Sequence, residues 1–216
     1  MFTEKKNDLT DITIIMDRSS SMFACQEEAQ NGVNAFIQEQ KEQKGEALFS
    51  FIQFDTQYET LYSGIDLKDA GEFTLQPRGM TALLDAVGKG ITDTAKRINK
   101  LAQKPSLVVF VILTDGQENS SSEFSREQIK TLIDKHQKED GWQFTFLGAN
   151  QDAFAEAGSL GIAKGGTINY GVHNSHQVFS MTSANVSQMR SCAMVGADVS
   201  NEYTDEQREE AVKEKV

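Results

Sequence analysis

The apolar residues of this chain change period repeatedly, and that alternation restricts its fold more than any other feature. Short unbroken apolar runs suit strands covered on both faces, whereas apolar residues at i, i+3, i+4 and i+7 suit helices with one buried side. Residues 12–16 form the first run, followed by a helical pattern through Ala29, Val33, Phe36 and Ile37 that stops at Lys44-Gly45. Residues 47–54 form the second. After Asp55-Thr56-Gln57 the alternating Tyr58, Thr60 and Tyr62 predict a hairpin partner, antiparallel and at a sheet edge. Beyond Pro77-Arg78-Gly79, Thr81 opens a helix with Leu84, Val87, Ile91, Ile98 and Leu101, and Pro105 closes it. Residues 107–113 are an unbroken Val/Ile/Leu/Phe run. Ser125-Arg-Glu-Gln128 spells a capping box for a helix carrying Ile129, Leu132, Ile133 and His136. A fifth strand at 142–147, a short helix with Phe154 and Ala157, and a sixth strand near 167–172 follow. Asn174-x-x-Gln177 then starts a helix with Val178, Thr182, Val186 and Met189.

Strands alternating with helices predict an α/β fold: a three-layer αβα sandwich around a mostly parallel six-stranded sheet, with one antiparallel edge strand and right-handed crossovers. Only two prolines and no Gly/Ser linker interrupt the chain, so residues 1–200 read as one domain. The stretch 201–216 is charged with little apolar period, and reads as a frayed helix or disordered tail.

Charge narrows the range of partners. The chain holds 21 Lys and Arg against 32 Asp and Glu, a net charge of −11. A protein tracking nucleic-acid phosphates or an anionic membrane needs a basic face, so neither partner is expected. The longest apolar run, 107–113, falls far short of the roughly 20 residues that span a bilayer. The first residues lack a secretory apolar region and cleavage site, which points to the cytoplasm. Cys25 and Cys192 have no metal-binding spacing and read as small buried hydrophobes. His173 and His176 form an HxxH pair with neither a third ligand nor a Glu between them.

In open α/β sheets ligands bind beyond the carboxyl ends of the strands, where the winding reverses. Here the first strand ends in Asp17-Arg-Ser19-Ser-Ser21, the helix after Gly79 begins near Thr81, and the 107–113 strand runs into Thr114-Asp115-Gly116. Two carboxylates and three hydroxyls, with no His or Cys, form a hard-oxygen set suited to Mg²⁺ or Mn²⁺. The same residue types also serve as turn formers and caps, and Thr81 reads equally as a helix N-cap.

Asp17-x-Ser19-x-Ser21, then Thr81, then Asp115 resembles the metal-ion-dependent adhesion site (MIDAS) of von Willebrand factor type A domains, in order and in placement. The resemblance spans roughly residues 10–190. It implies a Rossmann-like sheet, direct coordination by Ser19 and Ser21, and coordination by Thr81 directly or through water. It further implies that Asp17 and Asp115 act largely through water, and that a ligand carboxylate completes the sphere. The stretches LTDGQEN and FLGANQD look like those of small stand-alone type A proteins of bacteria and phages. The expected function is a non-enzymatic protein-binding module that holds Mg²⁺ or Mn²⁺ and takes an exposed Asp or Glu of a partner protein. Met80, Glu118, Asn119, Asn150 and Gln151 are candidates for the partner-reading rim, although solvated loop polarity accounts for the polar four as well. Phe23 and Met80 suit either exposed contact or core packing.

Two other classes compete. A phosphoryl-transfer hydrolase would use Asp17 but wants a second acid two residues on, where Ser19 stands. A structural or assembly protein could keep the site as a vestige. Dinucleotide binding is excluded by the missing GxGxxG, and Gly88-Lys89-Gly90 lacks the Ser/Thr of a P-loop.

Overall fold

The computed structural model describes residues 7–149, 152–171 and 174–213. At its centre lies β1 (Thr10–Asp17), buried at every position because its neighbours cover both edges and helices cover both faces. The remaining strands are β2 (Ala47–Phe54), β3 (Tyr58–Asp66), β4 (Leu107–Thr114), β5 (Gln143–Ala149) and β6 (Thr167–Tyr170). They form one six-stranded sheet in the order β3-β2-β1-β4-β5-β6. Only β3 runs antiparallel, at the edge, as the hairpin signal at 55–62 predicts. The winding goes one way from β1 to β2 and the other way from β1 to β4, so the switch point lies at the carboxyl ends of β1 and β4.

The strand pleat sorts the core into two layers. Ile12, Ile14 and Met16 point with Phe49, Phe51, Val109 and Val111 toward α1 (Gln26–Lys41) and α5 (Ser175–Val195). Ile15, Ile52, Phe110 and Ile112 point toward α2 (Leu83–Asn99), α3 (Arg126–Asp140) and α4 (Ala153–Ser159). Helices α1 and α5 pack closely because Gly32 gives way to a ring: a Cβ there would lie 2.5 Å from Phe179 Cδ2. Gly32→Ala is therefore expected to cost about 1–3 kcal/mol by overpacking, read as a lower urea midpoint at unchanged slope.

Several local expectations are revised. Helix α2 starts at Leu83 after Ala82, with no side-chain cap, so Thr81 does not serve as its N-cap. Cys25 is buried as expected, whereas Cys192 is only half-buried. His176 is exposed, and its partner His173 lies outside the described residues, as does Val172 at the end of the expected sixth strand.

The largest departure is at the C-terminus. The sequence suggests a frayed helix or disordered tail from 201; a helix does form there, α6 (Asp205–Val212), but it is docked against the sheet rather than frayed. Tyr203 and Ala211 are buried in the core layer shared with α5. Asn201 Nδ2 donates to the Phe144 carbonyl at 3.0 Å, and Tyr203 N donates to the Gly165 carbonyl at 3.1 Å. Asn174 stands at the start of α5 as expected but does not cap it with its side chain; Nδ2 goes to the carbonyls of Ala211 (2.8 Å) and Lys213 (2.9 Å). Gln177 reaches Glu210 at 3.1 Å. Apolar periodicity does not register such docking, because only two apolar side chains carry it and hydrogen bonds to backbone carbonyls supply the rest.

Candidate metal centre

Both carboxylates stand at the switch point. Asp17 ends β1, and Asp115 follows the last residue of β4. Ser19 N donates to Asp17 Oδ1 at 2.6 Å, a turn that Asp after a strand readily forms, and it leads the chain into a 3-10 turn at Ser20–Cys25. Met22 and Cys25 anchor that turn in the core. Ser19 Oγ and Ser21 Oγ then lie 3.0 Å apart.

The third hydroxyl arrives from another loop. Ser20 N and Ser20 Oγ both donate to the Gly79 carbonyl, at 3.2 and 3.0 Å. Gly79 takes φ +70°, a conformation that favours glycine, and turns the chain back toward Thr81. Thr81 and Asn119 bond reciprocally: Thr81 N to Asn119 Oδ1 at 2.9 Å and Asn119 N to the Thr81 carbonyl at 3.0 Å. The three hydroxyls converge at Gly116. A Cβ on Gly116 would lie 2.9 Å from Thr81 Oγ1, 3.1 Å from Ser21 Oγ and 3.6 Å from Ser19 Oγ.

The carboxylates close the arrangement from behind. Thr114 Oγ1 donates to Asp17 Oδ2 and Ser21 Oγ donates to Asp115 Oδ1, each at 2.6 Å. Burial raises Asp17 to about 6, against the pull of Thr114 and the Ser19 N–H, and the nearby Asp115 charge adds to the rise. Burial likewise raises Asp115, with the Ser21 hydroxyl opposing. Among the described residues neither carboxylate pairs with a basic side chain. Arg18, between Asp17 and Ser19 in sequence, instead bonds Asp55 at 2.8 Å and also pairs with Glu59. No group of three His, Cys, Asp or Glu converges among the described residues, so the set is two carboxylates and three hydroxyls.

Thus Asp17, Ser19, Ser21, Thr81 and Asp115 come together, and the rim candidates divide. Met80 is exposed. Glu118 turns back: Oε1 accepts from Ser120 N and Ser121 N, and Oε2 accepts from Leu84 N and Ser121 Oγ. Asn119 is exposed, but its Oδ1 is committed to Thr81. These two residues fasten the loop after β4 to the start of α2. Asn150 and Gln151 lie outside the described residues. The sequence names Thr114 and Gly116 beside Asp115 without giving either a role: Thr114 supports Asp17, and Gly116 forms the wall on which the hydroxyls converge. A glycine directly after a strand-end carboxylate, where backbone approaches a ligand, was the available signal for the second.

The von Willebrand factor type A domain model matches residues 11–189, from β1 through most of α5. The fold resembles that of proximal thread matrix protein 1 from the mussel byssus with a zinc-occupied MIDAS motif. The TM-score is 0.55 at 16% identity, covering 81% of this chain and 46% of that one. A von Willebrand factor type A protein from Catenulispora acidiphila gives TM-score 0.55 at 14% identity, covering 83% and 42%. The vWF domain of the type V pili tip protein Mfa5 from Porphyromonas gingivalis gives 0.59 at 12% identity, covering 91% and 98%. This chain therefore spans less than half of the first two chains and nearly all of the third. No curated protein matches the sequence. The extent of the family match, together with the sheet order β3-β2-β1-β4-β5-β6, shows that the chain belongs to the von Willebrand factor type A domain family.

Proposed function

We propose that this protein holds Mg²⁺ or Mn²⁺ through Ser19, Ser21 and Thr81, with Asp17 and Asp115 behind them, and binds a partner protein through an acidic side chain that completes the ion's sphere. The observation that carries this reading is the convergence of three hydroxyls on the open wall at Gly116. The 3.0 Å between Ser19 Oγ and Ser21 Oγ is also the edge expected of an octahedron with bonds of ~2.1 Å, the size Mg²⁺ requires. Two buried carboxylates without a basic partner are costly unless a cation offsets them. Neutral hydroxyls nearest the ion leave it electrophilic toward an incoming carboxylate. The zinc in the mussel protein's motif supports a divalent ion here. Catalysis is not part of the proposal, since Ser19 occupies the place where a phosphoryl-transfer hydrolase needs its proton-donating acid. No helix among the described residues is long and apolar enough to cross a membrane. The two free cysteines accord with a reducing compartment, and we assign the protein to the cytoplasm.

Titration of Mg²⁺ into metal-free protein, followed by calorimetry, tests the site: wild type should bind, and Asp17→Ala should not while keeping its fold. Absence of binding by wild type would falsify the reading. Capture of proteins from native extract in Mg²⁺ and in EDTA then tests the partner role, which fails if no captured protein depends on the ion.

The carboxylate also sets a pH window. Asp17 rises from 3.8 to about 6 on folding, so without metal the fold favours its protonated form. That contribution is full below about 3.8 and is lost as pH rises through about 6, on the order of 3 kcal/mol. Ion binding needs the ionised form. Mg²⁺ should therefore raise the melting temperature at pH above 7 and do so little at pH 5, in a thermal-shift series where Asp17→Asn shows no Mg²⁺ effect at either pH.

A further inference from the structure

The three hydroxyls come from two loops, Ser19 and Ser21 from the one after β1 and Thr81 from the stretch ahead of α2, so their spacing depends on what joins those loops. Asp55, directly after β2, is the joint. It is 1% exposed, and its Oδ2 accepts from Arg18 Nε and from Arg78 Nε, each at 2.8 Å. Arg18 lies between Asp17 and Ser19 in sequence, and Arg78 lies shortly ahead of Thr81. The Asp55 carbonyl accepts from Ala82 N at 3.0 Å, just past Thr81. Arg78 N donates to the Arg18 carbonyl at 2.7 Å, so backbone and side chains close the same junction. Gly79 packs directly on it, since a Cβ there would stand 3.2 Å from Asp55 Cβ. Asp55 is itself fixed: Gln57 N donates to its Oδ1 at 2.6 Å, and Arg18 is also held by Glu59. These bonds reach the residues beside Ser19 and Thr81 rather than the hydroxyls themselves. Parting a buried ion pair leaves an uncompensated charge, so the junction is stiff where the two loops meet.

We propose that Asp55 is a positioning residue of the metal centre: with Arg18 and Arg78 it fixes the distance of Thr81 from the Ser19 and Ser21 hydroxyls, and this fixed spacing favours Mg²⁺ over Ca²⁺. Mg²⁺ demands near-ideal octahedral geometry with bonds of about 2.0–2.1 Å, whereas Ca²⁺ accepts about six to eight oxygens at about 2.3–2.6 Å in looser arrangements. A slackened junction therefore penalises the smaller ion more. The inference rests on the metal reading above. Calorimetric titration of Mg²⁺ and of Ca²⁺ into the metal-free full chain tests it, alongside thermal unfolding in EDTA. Asp55→Asn keeps an oxygen for Gln57 N and leaves Arg18 paired with Glu59. Arg78 is mostly exposed, and Arg78→Met leaves Asp55 paired with Arg18. Asp55→Asn should weaken Mg²⁺ binding about ten- to a hundredfold, the range for groups that support metal ligands, and Ca²⁺ binding much less, with cooperative unfolding in EDTA retained. Arg78→Met should shift the ratio of Mg²⁺ to Ca²⁺ affinity in the same direction, and Arg78→Lys, which keeps a cation for Asp55, should restore part of it. Equal losses for both ions, or wild-type Mg²⁺ affinity in Asp55→Asn, would overturn the inference, as would a wild type that binds Ca²⁺ as tightly as Mg²⁺. Should Asp55→Asn fail to fold, Arg78→Met decides, and an unchanged ion ratio there overturns the inference. Absence of binding of either ion by wild type overturns the metal reading itself and this inference with it.

Discussion

Alanine at position 116 should weaken divalent-ion binding by more than about a hundredfold while leaving the metal-free protein folded. The added methyl group would sit 2.9 Å from Thr81 Oγ1 and 3.1 Å from Ser21 Oγ, inside the space the three hydroxyls face. Substitutions that merely disturb the support of a metal ligand cost 10–100-fold in affinity, so filling the ligand space itself should cost more. The backbone does not forbid the change, because Gly116 is not among the positive-φ glycines. Calorimetric titration of Mg²⁺, paired with thermal unfolding in EDTA, separates the two effects. Wild-type affinity in Gly116→Ala would mean that the hydroxyls do not enclose the ion. An unfolded variant would mean that the loop, and not the site, depends on the glycine.

Arg97→Met should cost about 3–5 kcal/mol of stability. Asp11 lies on β1 with no exposed surface, and Arg97 from α2 grips it with two bonds of 2.6 and 2.9 Å while also reaching Ser50 at 3.1 Å. Burial raises the Asp11 carboxyl, and the guanidinium opposes that rise. Methionine keeps much of the side-chain volume and strands the carboxylate. The penalty should shrink in acid, where Asp11 can protonate. The double variant Asp11→Asn with Arg97→Met should recover much of the loss, because neither charge is then left buried alone. Urea unfolding of the two single variants and the double variant measures this coupling. Equal losses in Arg97→Met and in the double variant would show that packing of the arginine stem matters more than its charge.

Much of this was legible in the chain itself, for physical reasons that differ from residue to residue. The run 107–113 carries the signature of a strand covered on both faces, and β4 is that strand. The alternation Tyr58, Thr60, Tyr62 after a polar turn suggests a hairpin partner at an edge, and β3 is that edge. Asp17, Ser19 and Ser21 were legible because a strand end fixes where short polar side chains point. Glu118 and Asn119 were not, because an acceptor facing a partner and an acceptor holding a loop have the same composition. Asp11 and Arg97 stand 86 positions apart, and no local pattern joins them. The docking of α6 depends on Asn174 and Asn201 reaching carbonyls, and in sequence those residues resemble caps and turns.

The clasp between Asn174 and the end of α6 also decides how the protein can be held. Gly171 N donates to the Ala211 carbonyl at 3.1 Å, which brings the C-terminal helix to the carboxyl end of β6. That strand is parallel to β5, and β5 to β4, so residue 213 lies at the same end of the sheet as the hydroxyls. The opposite end carries Asn7, whose Nδ2 bonds the Lys104 carbonyl at 2.7 Å. A bead, a fluorophore or a second module attached after 213 would therefore share the side from which a ligand approaches, whereas one attached ahead of residue 7 would leave that side clear. Tethering by the leading end is the orientation in which surface-based binding measurements report on the site rather than on the linker.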